Sequence, residues 1–348
     1  MGRDAHAACR VLLMVCIVAA AVEQANAQTP LSPPRTPDGK PNLEGVWDYR
    51  TQIPLERPKE MGSRAFLTAQ EIADLRAKLV TRGPERDSWA LIEDNERSSV
   101  IIDPPDGRLP PLQPGVKPQV GSLNEDIPAS RPVRYRGAGM SADNPEDRGP
   151  AERCLLGFNS GPPIVPGGYN QNIQIAQSRD HVVIVNEMVH DARIVPLDGR
   201  PHLPGHIRQW MGDSVGRWDG DTLVVETSNF TDKTSAITPN VWTSLGNGAN
   251  LRLTERFRLV AADRLEYEYT VDEPSTFTRP FTGLLTMKRG DVMYEYACHE
   301  ANYGLQNILR GGRARDGQKP EVRTGPARSV SEPPVKSQPA QGSANGER

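Results

Sequence analysis

Two adjacent stretches decide the fold class: Leu251-Arg252-Leu253-Thr254-Glu255-Arg256-Phe257-Arg258-Leu259 and Leu265-Glu266-Tyr267-Glu268-Tyr269-Thr270-Val271. Both alternate with a period of two, the signature of a strand with one buried face. Outward from this pair, the same period predicts strands over residues 172–177, 181–188, 192–197, 207–211, 222–230, 281–287 and 292–298. Asp219-Gly220-Asp221 and Arg289-Gly290-Asp291 read as hairpin turns. Seven or more short antiparallel strands joined by turns make an all-β chain, a barrel or a sandwich.

Helical signals are few. Thr68-Ala69-Gln70-Glu71 is a capping box, followed by Ile72, Leu75 and Leu79 at helical spacing, which predicts a short N-terminal helix over 69–80. A weaker helical patch lies around Trp89 to Glu96, and residues 303–309 suit one closing helix after the last strand. Residues 103–150 carry ten prolines and read as an extended arm that wraps the body or covers a cleft. The sequence has 32 Pro and 31 Gly in 348 residues, well above ordinary usage.

Strand parity then sorts the charges. Glu255 shares a face with Leu251, Leu253, Phe257 and Leu259 and so points inward. Tyr267 and Tyr269 share the inward face of the next strand. In 222–230, Glu226 falls with Val224, Ser228 and Phe230, which makes it a second interior candidate. A buried carboxylate needs a partner, because desolvating a lone charge costs several kcal/mol. Arg193, Arg208 and Arg279 are available. Two readings stay open: a satisfied ion-pair network, or a ligand cavity lined by acid, base and phenol groups.

A second constellation is Asn186-Glu187-Met188-Val189-His190-Asp191-Ala192-Arg193, at the end of an apolar strand. Histidine titrates near neutral pH, and an adjacent carboxylate suits it to general acid–base work. His202, His206 and His299-Glu300 complete the histidine inventory of this region. His202-x-x-x-His206 has helical ligand spacing, but Pro204 and Gly205 interrupt it. A metal site would require the fold to gather His190, Asp191, His202 and His299, and none is expected. Gly-x-Gly-x-x-Gly, P-loop and Gly-x-Ser-x-Gly patterns are absent, so neither a nucleotide cofactor nor a serine nucleophile is expected. Trp210 and Trp218 read as core plugs or as sugar platforms, and Asp213 and Asp219 as turn residues.

The N-terminus has Arg3 and Arg10, an apolar run over residues 11–22, and Ala25-Asn26-Ala27. That is the pattern of a cleaved secretory signal, 1–27, and too short for a membrane span. Val15 before Cys16 argues against a lipid anchor. The expected layout continues with a flexible lead-in over 28–41 and one barrel domain over 42–312. The tail, 313–348, lacks aromatic residues, Leu and Ile and is expected to be disordered. Export to the periplasm or beyond implies an oxidising compartment, where Cys154 and Cys298 would bridge. A reactive thiol beside His299, or two unpaired thiols, are the alternatives. The 41 basic and 44 acidic residues give a net charge of −3, which disfavours nucleic acid.

The runs GVWDYRTQIPLERPKEMGSRAFLTAQE (45–71), IIDPPDGRLPPL (101–112), ERCLLGFNSGPP (152–163), NEMVHDARIVPLDGRPHLP (186–204), IRQWMGDSVGRWDGDTLVVETSNFTDKT (207–234) and YEYACHEANYGLQNIL (294–309) resemble a large family of exported bacterial proteins. The resemblance spans residues 42–312 and implies export, but supplies no activity. Gly45-Val46-Trp47 at the start of a β-rich chain is similar to the opening of lipocalin-like barrels, which end in a helix. It implies an antiparallel lipocalin-like barrel, from which the 103–150 arm departs.

The functional expectation is an exported, cofactor-independent acid–base enzyme, a lyase, isomerase or hydrolase acting on a small molecule inside the barrel. His190, Asp191, Glu187, Glu255 and His299 are the expected catalytic groups. Glu226, Arg193, Arg208, Trp210, Tyr267 and Tyr269 are the expected ligand contacts. A periplasmic binding barrel without turnover and a structural envelope protein are the alternatives. A small-molecule ligand is the expected partner; no nucleic acid, no membrane span and no particular oligomer are implied.

Overall fold

The computed structural model describes residues 34–81, 96–120, 142, 144–167, 169–240, 243–300, 302–315 and 317. The signal-like segment, the patch around Trp89, most of the middle of the proline-rich arm and the tail beyond 317 lie outside the described residues. The strands in chain order are β1 (Gly45–Asp48), β2 (Ile101–Asp103), β3 (Gln119–Val120), β4 (Asn172–Gln177), β5 (His181–Asn186), β6 (Ala192–Pro196), β7 (Asp213–Asp219), β8 (Thr222–Ser228), β9 (Ile237–Asn240), β10 (Thr243–Leu245), β11 (Arg252–Ala261), β12 (Arg264–Asp272) and β13 (Phe281–Arg289). The helices are α1 (Ala69–Thr81) and α2 (Tyr303–Arg315).

The main sheet is antiparallel, in the order β6-β5-β4-β1-β13-β12-β11-β8-β7. Its two edge strands, β6 and β7, come side by side, so the sheet curls into a nearly closed, lipocalin-like barrel. Gly216 of β7 sits at that seam; a Cβ there would lie 2.7 Å from the Val195 side chain of β6. β13 has β12 on one edge, while its other edge is divided between β1 at Lys288–Arg289 and β2 at Thr282–Gly283. The disulfide at Cys298 ties residues 292–298, expected as a strand, to Cys154, and among the described residues they form no strand. Gly290 ends β13 without starting a hairpin, its amide donating instead to the Val46 carbonyl.

The opening Gly-x-Trp has a physical role here. The Trp47 indole is fully buried, donates Nε1–H to the Leu43 carbonyl (2.8 Å), and carries the Arg289 guanidinium over its ring at 4.4 Å. A Cβ on Gly45 would collide with that guanidinium, so the first and last strands lock together only with glycine at this point. α1 starts with the predicted capping box: the Thr68 amide donates to Glu71 Oε2 (2.8 Å) and the Glu71 amide to Thr68 Oγ1 (3.2 Å). α2 follows the last strand as predicted but continues to Arg315, six residues further than expected and past the expected start of the tail.

Part of the proline-rich arm is paired rather than free. Leu112 bridges Phe277, the Gln113 amide donates to the Thr276 carbonyl, and β3 joins β10 and β9 in a small second sheet. The lead-in is likewise held from residue 34 on: Arg35 bridges Pro41 and pairs with Asp221 at 2.8 Å.

The barrel interior is a packed core, not a cavity. Trp47, Ile173, Ile184, Val225, Phe257, Tyr267, Tyr269 and Phe281 lie within it with no exposed surface beyond 1%. The segment from Cys154 to Val165, apart from half-buried Leu155, is buried throughout and enters the barrel, where the Ile164 amide donates to the Tyr267 hydroxyl (3.0 Å). Cys154 and Cys298 form a disulfide with Cα atoms 5.6 Å apart, which ties this plug to the segment after β13. Among the described residues no helix is long and apolar enough to cross a membrane.

Candidate functional site

Inside the barrel, Glu255 has no exposed surface and faces inward, as the alternation of β11 predicts. Arg193 of β6 grips it with two parallel bonds, Nη1 to Oε2 at 2.6 Å and Nη2 to Oε1 at 2.9 Å. The Tyr267 hydroxyl donates to Oε1 at 2.8 Å. Such a fork is the strongest pairing geometry available to a carboxylate. Burial, reinforced by the Glu255 charge, pushes the Tyr267 phenol well above its ordinary range. Tyr269 is pushed up by burial alone; its ring lies against Gly283, whose Cα leaves the space for it, and among the described residues its hydroxyl has no hydrogen-bond partner.

Position corrects the expected roles of these groups. Glu255, Arg193 and Tyr267 form a hydrogen-bonded network inside the barrel with the Tyr269 ring packed against it, and all four residues are buried. The barrel cavity expected around them is filled by side chains and by the plug.

Glu226 faces the other way. The inward residues of β8 are Leu223, Val225 and Thr227, and Glu226 pairs with Arg217 on the outside at 2.9 Å. The parity of Leu223-Val224-Val225 was ambiguous because all three are apolar and all three are buried.

The 186–193 constellation is dispersed by local geometry. Glu187 is buried and accepts from Asn172 Nδ2 at 2.7 Å. His190 sits in a left-handed conformation, exposed, with Nδ1 3.0 Å from the Tyr296 carbonyl oxygen. Asp191 is half-buried and leads into β6, while His299 is exposed beside the disulfide. The structure therefore does not gather His190, Asp191, Glu187 and His299 around one point with Glu255. Beside them, Tyr296 stacks near Tyr169 at 6.2 Å, and burial with the Tyr169 contact raises its phenol to about 12.

A different group converges on the far side of the barrel wall. Asp213, expected as a turn residue, opens β7. Its Oδ2 accepts from His202 Nδ1 at 2.9 Å and from the Leu203 amide at 2.8 Å. A carboxylate only accepts, so Nδ1 carries the proton and Nε2 holds the lone pair in the neutral ring. Among the described residues nothing bonds Nε2. His202 lines an open cleft of about 830 Å³, floored by outward residues of β8, β11 and β12, among them Glu226, Ser228, Arg252, Thr254 and Asp272.

The loop that carries His202 is built into place. Asn229, left-handed at φ 56°, donates Nδ2 to the Leu203 carbonyl at 2.7 Å. Asparagine tolerates that conformation better than other non-glycine residues. Gln209 bridges Phe230, and Arg208 donates to the carbonyls of Phe230 and Ala249, both at 2.9 Å. Arg208 thus staples the loop under the cleft through Nη1. Residues 207–211, expected as a strand, make only this one bridge, because Gly212 turns the chain at φ 71° straight into β7. A Cβ on Gly212 would lie 2.7 Å from the Ser228 carbonyl, so the turn needs glycine. Trp210 is half-buried and its carbonyl accepts from Thr234; it does not line the cleft.

Sequence reasoning missed the His202–Asp213 pair. The available signal was the doubled Pro-Gly punctuation around His202 and the tight Gly-Asp entry to a hydrophobic hairpin, which brings residues eleven apart face to face. Among the described residues no three His, Cys, Asp or Glu side chains are placed to hold a metal ion.

No protein-family model and no curated protein matches the chain. Among solved structures, a variant of the fluorescent protein UnaG is similar at 13% identity with a TM-score of 0.21, covering 35% of this chain and 72% of that one.

Proposed function

We propose that the protein is an exported acid–base enzyme whose working site is the open cleft at His202, outside the barrel lumen. The carrying observation is the 2.9 Å contact between Asp213 Oδ2 and His202 Nδ1, with Nε2 unbonded at the cleft. In this reading Nε2 takes a proton from a hydroxyl, a water or an acidic C–H of the ligand. Asp213, held by the Leu203 amide, stabilises the imidazolium that forms. The ring then returns the proton to the leaving group or product. These steps use only the chain's own groups. Export is supported by the signal-like N-terminus and by the Cys154–Cys298 disulfide. The barrel then serves as a rigid scaffold for a loop-built site.

The test is a turnover screen with the mature chain on chromogenic esters, chromogenic glycosides and hydroxy-carbonyl compounds, followed by NMR. His202→Gln is expected to lower the rate of any converted compound by roughly 10²–10⁴-fold. Asp213→Asn should do so less completely and move the pH profile. Turnover indifferent to both substitutions would overturn the reading, and binding without conversion would convert it to that of a ligand-binding barrel.

A further inference from the structure

We infer that the cleft at His202 takes a neutral, hydroxyl-rich ligand of the oligosaccharide class. The inference rests on the reading above for the place of the site and not for its chemistry. Most small-molecule pockets are predominantly apolar with a few polar groups. This one is lined largely by polar residues, among them Ser228, Asn229, Asn250, Arg252, Thr254 and Asp272. An apolar ligand would strip water from these groups and return nothing, which is unfavourable for each of them.

The mixture of groups narrows the ligand further. Carboxylates only accept, a guanidinium only donates, and amides and hydroxyls do both. A ligand hydroxyl, donor and acceptor at a single atom, satisfies all four. Charge narrows it again. Among the described lining residues Arg252 is the one cation, against the carboxylates of Glu226 and Asp272. Glu226 is already held by Arg217, and Arg252 lies opposite Asp272 in the β11–β12 register. Arg208, close by, has Nη1 committed to two backbone carbonyls. An anionic ligand would bring a further negative charge to a lining that already holds two carboxylates against one guanidinium. The cleft's 830 Å³ lies in the upper part of the range for small-molecule sites, and it is open, so a chain can run on beyond it.

The experiment is saturation-transfer NMR and titration calorimetry on the mature chain with cellohexaose, xylohexaose and mannohexaose, and with hexagalacturonic acid as the anionic comparison. At least one neutral hexaose is expected to bind. Asn250→Ala and Thr254→Ala, both outside the core, are expected to weaken it by roughly tenfold each with an unchanged melting curve. Failure of all three neutral hexaoses, or tighter binding of hexagalacturonic acid, would overturn the inference. If His202-dependent turnover of a non-carbohydrate then persists, the acid–base reading stands and only the ligand class falls. If a hexaose binds and is converted equally by His202→Gln, the ligand class stands and the acid–base reading falls.

Discussion

Two pairs, each a carboxylate with a nitrogen donor, have opposite surroundings. Arg193 and Glu255 meet at 2.6 Å with side chains 3% and 0% exposed; His202 and Asp213 meet at 2.9 Å with side chains 30% and 15% exposed. The first pair joins β6 to β11 through the middle of the barrel. The second holds a loop against the first residue of β7. A proton can be exchanged with a ligand only where the ligand can arrive, so the proposed chemistry rests on the open pair. The sealed pair, surrounded by Phe257, Tyr267 and the plug, fixes which strands lie across from one another. Breaking it should cost stability, whereas breaking the open pair should cost function.

The largest expected effect follows from that assignment. Glu255→Gln leaves the Arg193 charge buried without its carboxylate, and removal of one partner of a buried pair costs about 3–5 kcal/mol. Urea unfolding monitored by tryptophan fluorescence checks it. A loss below about 1 kcal/mol would mean that water reaches Arg193 and that the lumen is not sealed.

Alkaline pH probes the same core. Tyr49, Tyr267 and Tyr269 are fully buried, and burial, joined at Tyr49 and Tyr267 by nearby carboxylates, raises each phenol above its ordinary value. In the unfolded chain they ionise near pH 10, while in the folded protein they stay protonated. Their contribution to stability is therefore fully present below about pH 10 and falls as pH rises further, by about 1.4 kcal/mol per pH unit for each tyrosine. Unfolding midpoints measured across this range should drop steeply, and the ultraviolet titration of the three phenols should coincide with unfolding. Ionisation before unfolding would contradict their burial.

How much of this was legible in the sequence differs between the two regions for physical reasons. β11 and β12 alternate strictly, so their boundaries and the inward placement of Glu255 follow from parity alone. β8 carries three apolar residues in a row, all buried, so parity gives no face, and Glu226 went to the wrong side. β7 was hidden because Asp213, Gly216 and Asp219 look like turn residues; Gly216 is there because the barrel seam brings Val195 against it. Residues 292–298 alternate in sequence, yet a strand also needs a partner, and the period alone does not reveal that this segment is tied to Cys154 instead of entering a ladder. The His202–Asp213 pair depends on a loop returning over eleven residues, a tertiary event with no period to read.

A smaller effect separates the two phenols in the core. The Tyr267 hydroxyl donates to Glu255 and accepts from the Ile164 amide, whereas the Tyr269 hydroxyl has no partner among the described residues. A buried polar group without a hydrogen bond carries its desolvation cost uncompensated. Tyr269→Phe should therefore raise stability by about 1 kcal/mol or leave it level, while Tyr267→Phe should lower it by about 1–3 kcal/mol. Thermal unfolding of the two variants side by side decides this. A loss in Tyr269→Phe as large as in Tyr267→Phe would show that an ordered water serves the Tyr269 hydroxyl.

The smallest expected effect on stability is at His202, and it bears most directly on function. His202 and Asp213 are partly solvated, and exposed pairs of this kind contribute about 0–1 kcal/mol. Asp213 keeps its bond from the Leu203 amide, and Asn229 keeps the Leu203 carbonyl, when the ring is replaced. The loop is therefore still anchored at both backbone groups in His202→Gln, and the glutamine amide can still donate to Asp213. Its melting curve should match that of the wild-type chain to within the equivalent of about 0.5 kcal/mol. Only the lone pair on Nε2 is lost, and with it the group proposed to accept the ligand's proton. A large fall in stability would place His202 with Arg193 and Glu255 as part of the framework and would remove the distinction between the two pairs. An unchanged melting curve with abolished turnover would locate the chemistry on the outer wall of the barrel.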